Sequence, residues 1–232
     1  MIADIDAIVF DILGTMVDEP AGVERAVRSH VPDLSQRAVR EVADNWLAYT
    51  AEQQQEVLAG RRPYADSRVL DLEAAGIAAS GAGLDPDAAR SMATAALRLD
   101  PWPDSASGLG RIAAHVAVVG LSNASRSALV HLNAHSGLRW HLVLSAQDAQ
   151  TYKPDPDVYR LAVMATGCAP ERLLMVAAHA WDLRGAQAIG MRTAYVARPV
   201  GDPPGAGDAF DLTAGGLEDL ARQLGVRWAG LR

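Results

Sequence analysis

Several polar residues follow apolar, strand-like runs of this chain, and their types are suited to nucleophilic catalysis. Asp11 follows the first run, Ser122 and Asn123 follow a later one, and Lys153 and Asp182 lie in two further segments. An aspartate can act as a covalent nucleophile, and a lysine beside it can keep it ionised. Serine and asparagine can donate hydrogen bonds to a substrate anion, while a second aspartate can orient the lysine or a water molecule. The alternative is that Asp11 only caps a turn.

These residues can meet only if parallel strands bring them together. Residues 7–10 are an apolar run without alternation, typical of a strand buried on both faces, and Gly14 lets backbone amides approach a ligand beyond it. Further strands are predicted at residues 116–121, 142–144, 173–176 and 193–196, with an edge strand at 210–213. Helices are predicted between and after them at residues 125–134, 156–166, 183–189 and 216–224. This alternation predicts an α/β fold, a doubly wound, parallel, Rossmann-like sheet whose strand ends converge.

A helical block interrupts the alternation. Residues 19–22, Glu-Pro-Ala-Gly, predict a turn, and helices are predicted over residues 39–58, 68–79 and 85–97. Residues 101–104, which contain two prolines, predict a stiff connector back to the sheet. We therefore expect a catalytic core made of residues 1–18 and 100–232, and an inserted helical cap domain made of residues 19–99.

Composition narrows the classes of function. The net charge is −7 and no run of Lys or Arg is present, which argues against nucleic-acid binding. The single cysteine, Cys168, excludes an internal disulfide, and the histidines show no ligand spacing, so no metal site or cofactor is expected. No apolar stretch approaches the roughly twenty residues of a membrane span. Because the first strand begins within a few residues of the start, no signal peptide is expected, and the predicted location is the cytoplasm.

Four short motifs, in this order, resemble those of the haloacid dehalogenase superfamily. They are Asp11-x-x-Gly14-Thr15, Leu121-Ser122-Asn123, Lys153-Pro154-Asp155-Pro156 and the segment that contains Asp182. The phosphatases of that superfamily carry a second aspartate at the position of Leu13 and acidic residues in the fourth motif, where this chain has Ala178. Magnesium needs such oxygen ligands. The pattern is therefore similar to the metal-independent branch, the type II 2-haloacid dehalogenases.

The resemblance implies a mechanism and a role for each motif residue. Asp11 would attack the halogen-bearing carbon and expel halide, and water would then hydrolyse the aspartyl ester. The other implied roles are support of the nucleophile by Thr15, charge balance by Lys153 with Tyr159 beside it, substrate binding by Ser122 and Asn123, and positioning of water and Lys153 by Asp182.

The chain departs from the family pattern in its predicted substrate pocket. Family members usually have an aromatic residue at the position of Leu13, and a small polar pair where this chain has Ala177 and His179. Their cap usually places an arginine after a tryptophan such as Trp46, but here that residue is Leu47. Arg40, Arg61 or Arg62 could replace it in space. Leu13, Leu47 and His179 are therefore counted among the predicted substrate-binding residues.

The leading prediction is a hydrolase that acts on the carbon–halide bond of a small 2-haloacid, with halide as a product. One alternative keeps the chemistry with another leaving group, as in opening of azetidine-2-carboxylate. Another is a magnesium-dependent phosphatase, and a third is a non-catalytic binding protein of the same fold. Relatives of the family are often dimers, so a homodimer is also expected.

Overall fold

The computed structural model describes residues 4–225 of the chain, and its centre is a parallel sheet. The strands are β1 (Ala7–Phe10), β2 (Ala117–Ser122), β3 (Leu142–Ser145), β4 (Leu173–Ala177), β5 (Arg192–Val196) and β6 (Leu212–Ala214). They form one six-stranded sheet in the order β3-β2-β1-β4-β5-β6, and all neighbours are parallel. Phe10 pairs with both Gly120 and Val176, so the carboxyl ends of β1, β2 and β4 lie at one edge. The predicted doubly wound α/β fold is confirmed.

Helices cover both faces of this sheet. The helices are α1 (Glu19–His30), α2 (Gln36–Leu58), α3 (Ser67–Gly81), α4 (Pro86–Met92), α5 (Ser105–Ala113), α6 (Arg126–Ser136), α7 (Pro156–Thr166), α8 (Ala180–Ala188) and α9 (Leu217–Gln223). Ile8 and Phe10 belong to an apolar cluster with residues of α5, α6 and α9. Ala7 and Val9 belong to a second cluster with residues of α7 and α8. The alternation of β1 side chains between the two faces therefore makes it the strand shared by both cores.

The helices α1 to α4 form an insertion with an apolar cluster of its own. Val23 of α1, Val39 and Trp46 of α2, Ala75 of α3 and Met92 of α4 are buried together in it. A separate core is what defines a domain. On this ground we propose that residues 19–99 are a cap domain and that residues 4–18 and 100–225 are the catalytic core. Residues 1–3 and 226–232, which the sequence assigns to the core, lie outside the described residues.

One local prediction is wrong and one helix was not predicted, each for a physical reason. Residues 19–22 are not a turn but the start of α1, because Asp18 accepts a hydrogen bond from the amide of Ala21 (3.1 Å) and Pro20 suits a first helical turn. Helix α5 was not predicted, since Gly108 and Gly110 lower its helical propensity. Gly108 is required by packing, because a Cβ there would lie 2.5 Å from Leu217 Cβ.

Several helix boundaries also differ from the prediction, and two of them concern α4 and α8. Helix α4 ends at Met92, and residues Ala95–Leu97 form a separate 3₁₀ turn. Helix α8 begins at Ala180 rather than at residue 183, so Asp182 lies in its first turn. Among residues 4–225, no helix combines the length and the apolar character that crossing a membrane would require.

Candidate active site

The polar residues predicted from the sequence gather at the carboxyl edge of the sheet. Asp11 follows β1 directly, and its amide donates to the carbonyl of Val176 in β4 (2.9 Å). Asn123 follows β2, and its side-chain oxygen accepts a hydrogen bond from the amide of Lys153 (2.9 Å). His179 lies between β4 and α8. The topology thus brings residues far apart in sequence to one point, as expected for parallel strands.

A buried lysine links two carboxylates. Lys153 Nζ donates to Asp11 Oδ1 (2.8 Å) and to Asp182 Oδ2 (2.7 Å), and all three residues are buried. The second oxygen of Asp182 accepts a hydrogen bond from the Tyr159 hydroxyl (2.7 Å). Thr15 donates to Asp11 Oδ2 (2.5 Å) and accepts from the backbone amide of Ala178 (2.9 Å). The ammonium group is therefore fixed, and it fixes the Asp11 carboxylate in turn.

Electrostatics keep Asp11 ionised. Burial by itself would raise the pKa of Asp11, but Lys153 and His179 hold that pKa well below its usual range. Burial would lower the pKa of Lys153, and the two carboxylates raise it instead. Burial raises the pKa of Asp182, and the Lys153 ammonium group offsets this only in part. Asp11 is therefore the stronger acid of the two aspartates and carries the charge that a nucleophile needs.

His179 lies against the other side of the Asp11 carboxylate. Its Nδ1 is 3.4 Å from Asp11 Oδ2, and its ring packs against the indole of Trp181, with centroids 5.8 Å apart. Gly14 adopts φ +75° beneath this ring, and a Cβ there would lie 2.6 Å from His179 Cε1. Glycine at this position therefore permits both the left-handed backbone and the close approach of the imidazole.

A cavity of about 260 Å³ opens above these groups, between the core and the helical insertion. Six of the predicted site residues line it, namely Asp11, Leu13, Leu47, Asn123, Lys153 and His179. The four other predicted residues, Thr15, Ser122, Tyr159 and Asp182, are fully buried behind the wall. Their hydrogen bonds hold the wall in place. For example, Ser122 Oγ accepts a hydrogen bond from the backbone amide of Ala124 (3.1 Å).

Eight other residues of the cavity wall were not predicted to bind substrate, and three of them, Gln54, Trp181 and Glu19, have large polar or aromatic side chains. Gln54 of α2 accepts a hydrogen bond from the side chain of Asn123 (3.0 Å), and Trp181 is partly exposed at the cavity. Glu19 is half-buried there, and burial together with Asp71 raises its pKa to about 7. The sequence did contain a signal for Glu19, because Asp18-Glu19-Pro20 is the start of a helix that follows the nucleophile motif.

The arginines considered as replacements for Leu47 do not reach this cavity. Arg61 pairs with Glu56 (2.7 Å) and Arg62 with Glu73 (2.7 Å), both within the helical insertion. Arg40 lies 3.9 Å from Glu24. Among the described residues that line the cavity, no arginine is present. Among residues 4–225, no group of three or more His, Cys, Asp and Glu side chains is arranged to hold a metal ion.

Comparisons with known proteins agree with this geometry. The model of the haloacid dehalogenase-like hydrolase family matches residues 5–190. An (S)-2-haloacid dehalogenase of Xanthobacter autotrophicus is 32% identical over 198 residues, which cover 84% of this chain and 76% of that protein. The (S)-2-haloacid dehalogenase H-109 of Pseudomonas putida is 30% identical over 198 residues, with 84% and 86% covered.

A solved structure shows the same likeness in three dimensions. It is the L-2-haloacid dehalogenase of Xanthobacter autotrophicus with chloropropionic acid covalently bound, which superposes with a TM-score of 0.82 at 28% identity, covering 95% of this chain and 98% of that one. The match of the family model spans most of the chain and includes the buried aspartate, its lysine and their supporting strands. The chain therefore belongs to the family of haloacid dehalogenase-like hydrolases.

Proposed function

We propose that this protein is a metal-independent dehalogenase of small 2-haloacids that works through an ester on Asp11. The observation that carries the proposal is the buried Asp11 carboxylate, ionised by Lys153 at the base of a cavity with polar and apolar walls. An ionised carboxylate with little hydration is a good nucleophile toward saturated carbon. The names of the relatives, (S)-2-haloacid dehalogenases, support the same reaction.

The residues around Asp11 can assist the displacement step. Asp11 attacks carbon 2 and the carbon–halogen bond breaks, so halide leaves and the configuration at carbon 2 inverts. Lys153 and Thr15 hold the carboxylate in line, and Asp182 and Tyr159 hold Lys153. Water then attacks the ester carbonyl, and the hydroxy acid leaves with an oxygen that came from Asp11.

The cavity wall divides into polar and apolar parts. Asn123 is a lining residue whose side-chain amide can donate a hydrogen bond to a substrate carboxylate. Leu13 and Leu47 provide apolar surface. We assign the carboxylate to Asn123 and the carbon–halogen bond to Leu13 and Leu47.

The donor set does not suit magnesium, so no step is assigned to a metal. Leu13 and Ala178 bring no carboxylate. The ammonium group of Lys153 lies between Asp11 and Asp182, where it binds both aspartates. Magnesium would need at least one or two of those carboxylates free. Halide release should therefore continue in excess EDTA, whereas hydrolysis of 4-nitrophenyl phosphate should be absent with or without magnesium.

A single turnover in ¹⁸O-labelled water tests the ester. With enzyme in excess over (S)-2-chloropropionate, the first product should stay unlabelled and the label should enter the peptide that contains Asp11. Mass spectrometry of the peptide and of the lactate measures both. A labelled product with unlabelled Asp11 would mean direct attack by water and would end the proposal. Asp11→Asn should release no halide, and it serves as the control for uncatalysed hydrolysis.

A further inference from the structure

His179 is a titratable side chain that faces the reacting carboxylate at the distance of an ion pair. Its Nδ1 is buried and lies 3.4 Å from Asp11 Oδ2, and it has no closer hydrogen-bond partner within the described residues. The side chain is 19% exposed, and it lines the cavity in which substrate and water must bind. The part of the ring that is exposed at the cavity can contact a water molecule that attacks Asp11.

The second aspartate is poorly placed for the same task. Asp182 is fully buried and does not line the cavity. Its two carboxylate oxygens already accept hydrogen bonds from Lys153 and Tyr159. Asp182 can position Lys153, but it is fully buried and does not line the cavity, so it has no contact with a water molecule above the Asp11 ester. The base for the second step must come from elsewhere in the wall.

The charges around His179 change during the reaction. Asp11 faces the ring from the end of β1, Asp182 lies in α8, Lys153 lies in the loop before α7, and Glu19 faces it from α1. Asp202 also contacts the backbone beside the ring, through hydrogen bonds with Ala180 and Trp181. Burial by itself would lower the pKa of His179, but the negative charges of Asp11 and Asp182 raise it above the usual value.

Ester formation removes the nearer of those two negative charges. While Asp11 is ionised, it favours the imidazolium form of His179. Once Asp11 is esterified, that carboxylate is neutral. Burial and Lys153 then oppose protonation of His179, while the more distant negative groups, Asp182, Glu19 and the substrate carboxylate at Asn123, still favour it. The pKa of His179 should then fall, and the ring should lose its proton to solvent as halide departs. The imidazole becomes basic at the stage of the reaction that requires a base.

We propose that His179 is the general base that activates water for hydrolysis of the Asp11 ester. Neutral His179 takes a proton from water as the water oxygen bonds to Asp11 Cγ. Collapse of the tetrahedral intermediate breaks the bond from Cγ to the substrate oxygen, which receives the proton from His179. The proton left on the regenerated Asp11 carboxyl returns to His179. The sum is haloacid and water giving hydroxy acid, halide and one proton. The inference rests on the ester mechanism proposed above.

Rapid-quench mass spectrometry of the Asp11 peptide separates the two chemical steps. In His179→Gln the ester should form within about tenfold of the normal rate and then accumulate, because its hydrolysis slows at least about a hundredfold. The hydrolysis rate of the normal enzyme should rise with pH through one ionisation, and that of His179→Gln should not. His131→Gln, which changes an exposed histidine of α6, is the matched control and should behave normally.

A second variant distinguishes loss of the base from a folding defect. His179→Ala leaves space beside Gly14, and added imidazole should restore ester hydrolysis in a concentration-dependent way without changing the rate of ester formation. If the ester does not accumulate in His179→Gln and its hydrolysis keeps the normal pH dependence, His179 is not the base, although the ester mechanism stands. If no ester forms in the normal enzyme and product oxygen comes directly from water, the ester mechanism itself fails.

Discussion

At the scale of single residues, the cavity wall combines a well-supported nucleophile with a charge pattern that disfavours anions. Among the described residues that line the cavity, Lys153 carries the permanent positive charge. Its ammonium group is already bound to Asp11 and Asp182. Glu19 adds a carboxyl group whose pKa is raised to about 7, so it becomes negative above neutral pH. Leu47 brings no positive charge to balance it. Short haloacids, which are anions, should therefore be poor substrates, most of all in alkaline solution.

A positive charge at position 47 should improve dehalogenation of short haloacids. Leu47→Arg places a guanidinium group on the part of the wall assigned to the carbon–halogen bond, where it can stabilise the departing halide and offset the charge of Glu19. We expect kcat/KM for 2-chloropropionate to rise at least about tenfold, which corresponds to roughly 1.4 kcal/mol. Glu19→Gln should have a smaller effect of the same sign at pH 8 and almost none at pH 5.5, where Glu19 is already neutral. Halide release measures both.

The control places the same charge outside the cavity. Ala48 is the next residue of α2 and is exposed, so Ala48→Arg should leave kcat/KM unchanged. An equal rise in kcat/KM in the two variants would show that the added positive charge only attracts the anionic substrate to the protein. No gain in Leu47→Arg would contradict the assigned place of the carbon–halogen bond.

At the scale of helices, the insertion is held by polar contacts between α2 and α3 as well as by its apolar cluster. Trp46 donates its indole N–H to Asp71 (3.3 Å), and Tyr49 donates to Glu73 (3.1 Å), which also pairs with Arg62. Burial raises the pKa of Asp71 to about 7, and the hydrogen bond from Trp46 offsets this only in part. The fold therefore favours the protonated form of Asp71.

Asp71→Asn should stabilise the protein in alkaline but not in acidic solution. The raised pKa means that the folded state binds the proton more tightly than the unfolded chain, so this favourable contribution is complete below about pH 4 and is lost as the pH rises to about 7. Asparagine removes the charge and can still accept the bond from Trp46. At pH 8 we expect a gain of about 1–2 kcal/mol in the free energy of unfolding, measured with urea, and no gain at pH 4.

Asp44→Asn is the matched control, since Asp44 is an exposed aspartate of α2. It should leave the free energy of unfolding nearly unchanged at both pH values. If Asp71→Asn changes the free energy of unfolding by the same amount at pH 4 and at pH 8, the raised pKa of Asp71 is refuted.

At the scale of the whole molecule, hydrogen bonds join the insertion to the core around the cavity. The side chain of Asn123 donates to Gln54 of α2 (3.0 Å), and the amide of Ser125 donates to Ser67 of α3 (2.9 Å). The Tyr152 hydroxyl donates to the carbonyl of Ala65 (2.5 Å). Asn123 also holds Lys153 through its backbone amide (2.9 Å). The position of the insertion is thus coupled to the residue that ionises the nucleophile.

Removing the bond between Gln54 and Asn123 should weaken substrate binding more than the chemical step. In Gln54→Ala the wall formed by α2 loses its polar link to the end of β2. A single hydrogen bond contributes about 0.5–1.5 kcal/mol, so KM should rise roughly twofold to tenfold while kcat changes less. Gln53→Ala is the control, because Gln53 bonds Arg62 within the insertion (2.5 Å) and should leave KM unchanged. A fall in kcat alone in Gln54→Ala would place its role in the chemical step.

The sequence by itself determined the sheet, the helical insertion and the chemistry of the nucleophile. Buried parallel strands are continuous apolar runs, and polar residues directly after them must meet at one edge, so Asp11, Asn123 and Lys153 could be brought together without coordinates. The wrong predictions were local ones. The glycines of α5 concealed a helix that packing requires, and the proline at residue 20 was interpreted as part of a turn rather than as a helix start.

Only the tertiary structure decided which side chains face the cavity. Asp182 and Tyr159 are enclosed behind Lys153, His179 faces the Asp11 carboxylate, and Glu19 reaches the wall from the insertion. Motif spacing places a residue at the end of a strand but does not fix the direction of its side chain, which depends on the rotamer and on the neighbours packed against it. The approach of two domains is a sum of many contacts distant in sequence, and no local pattern records it.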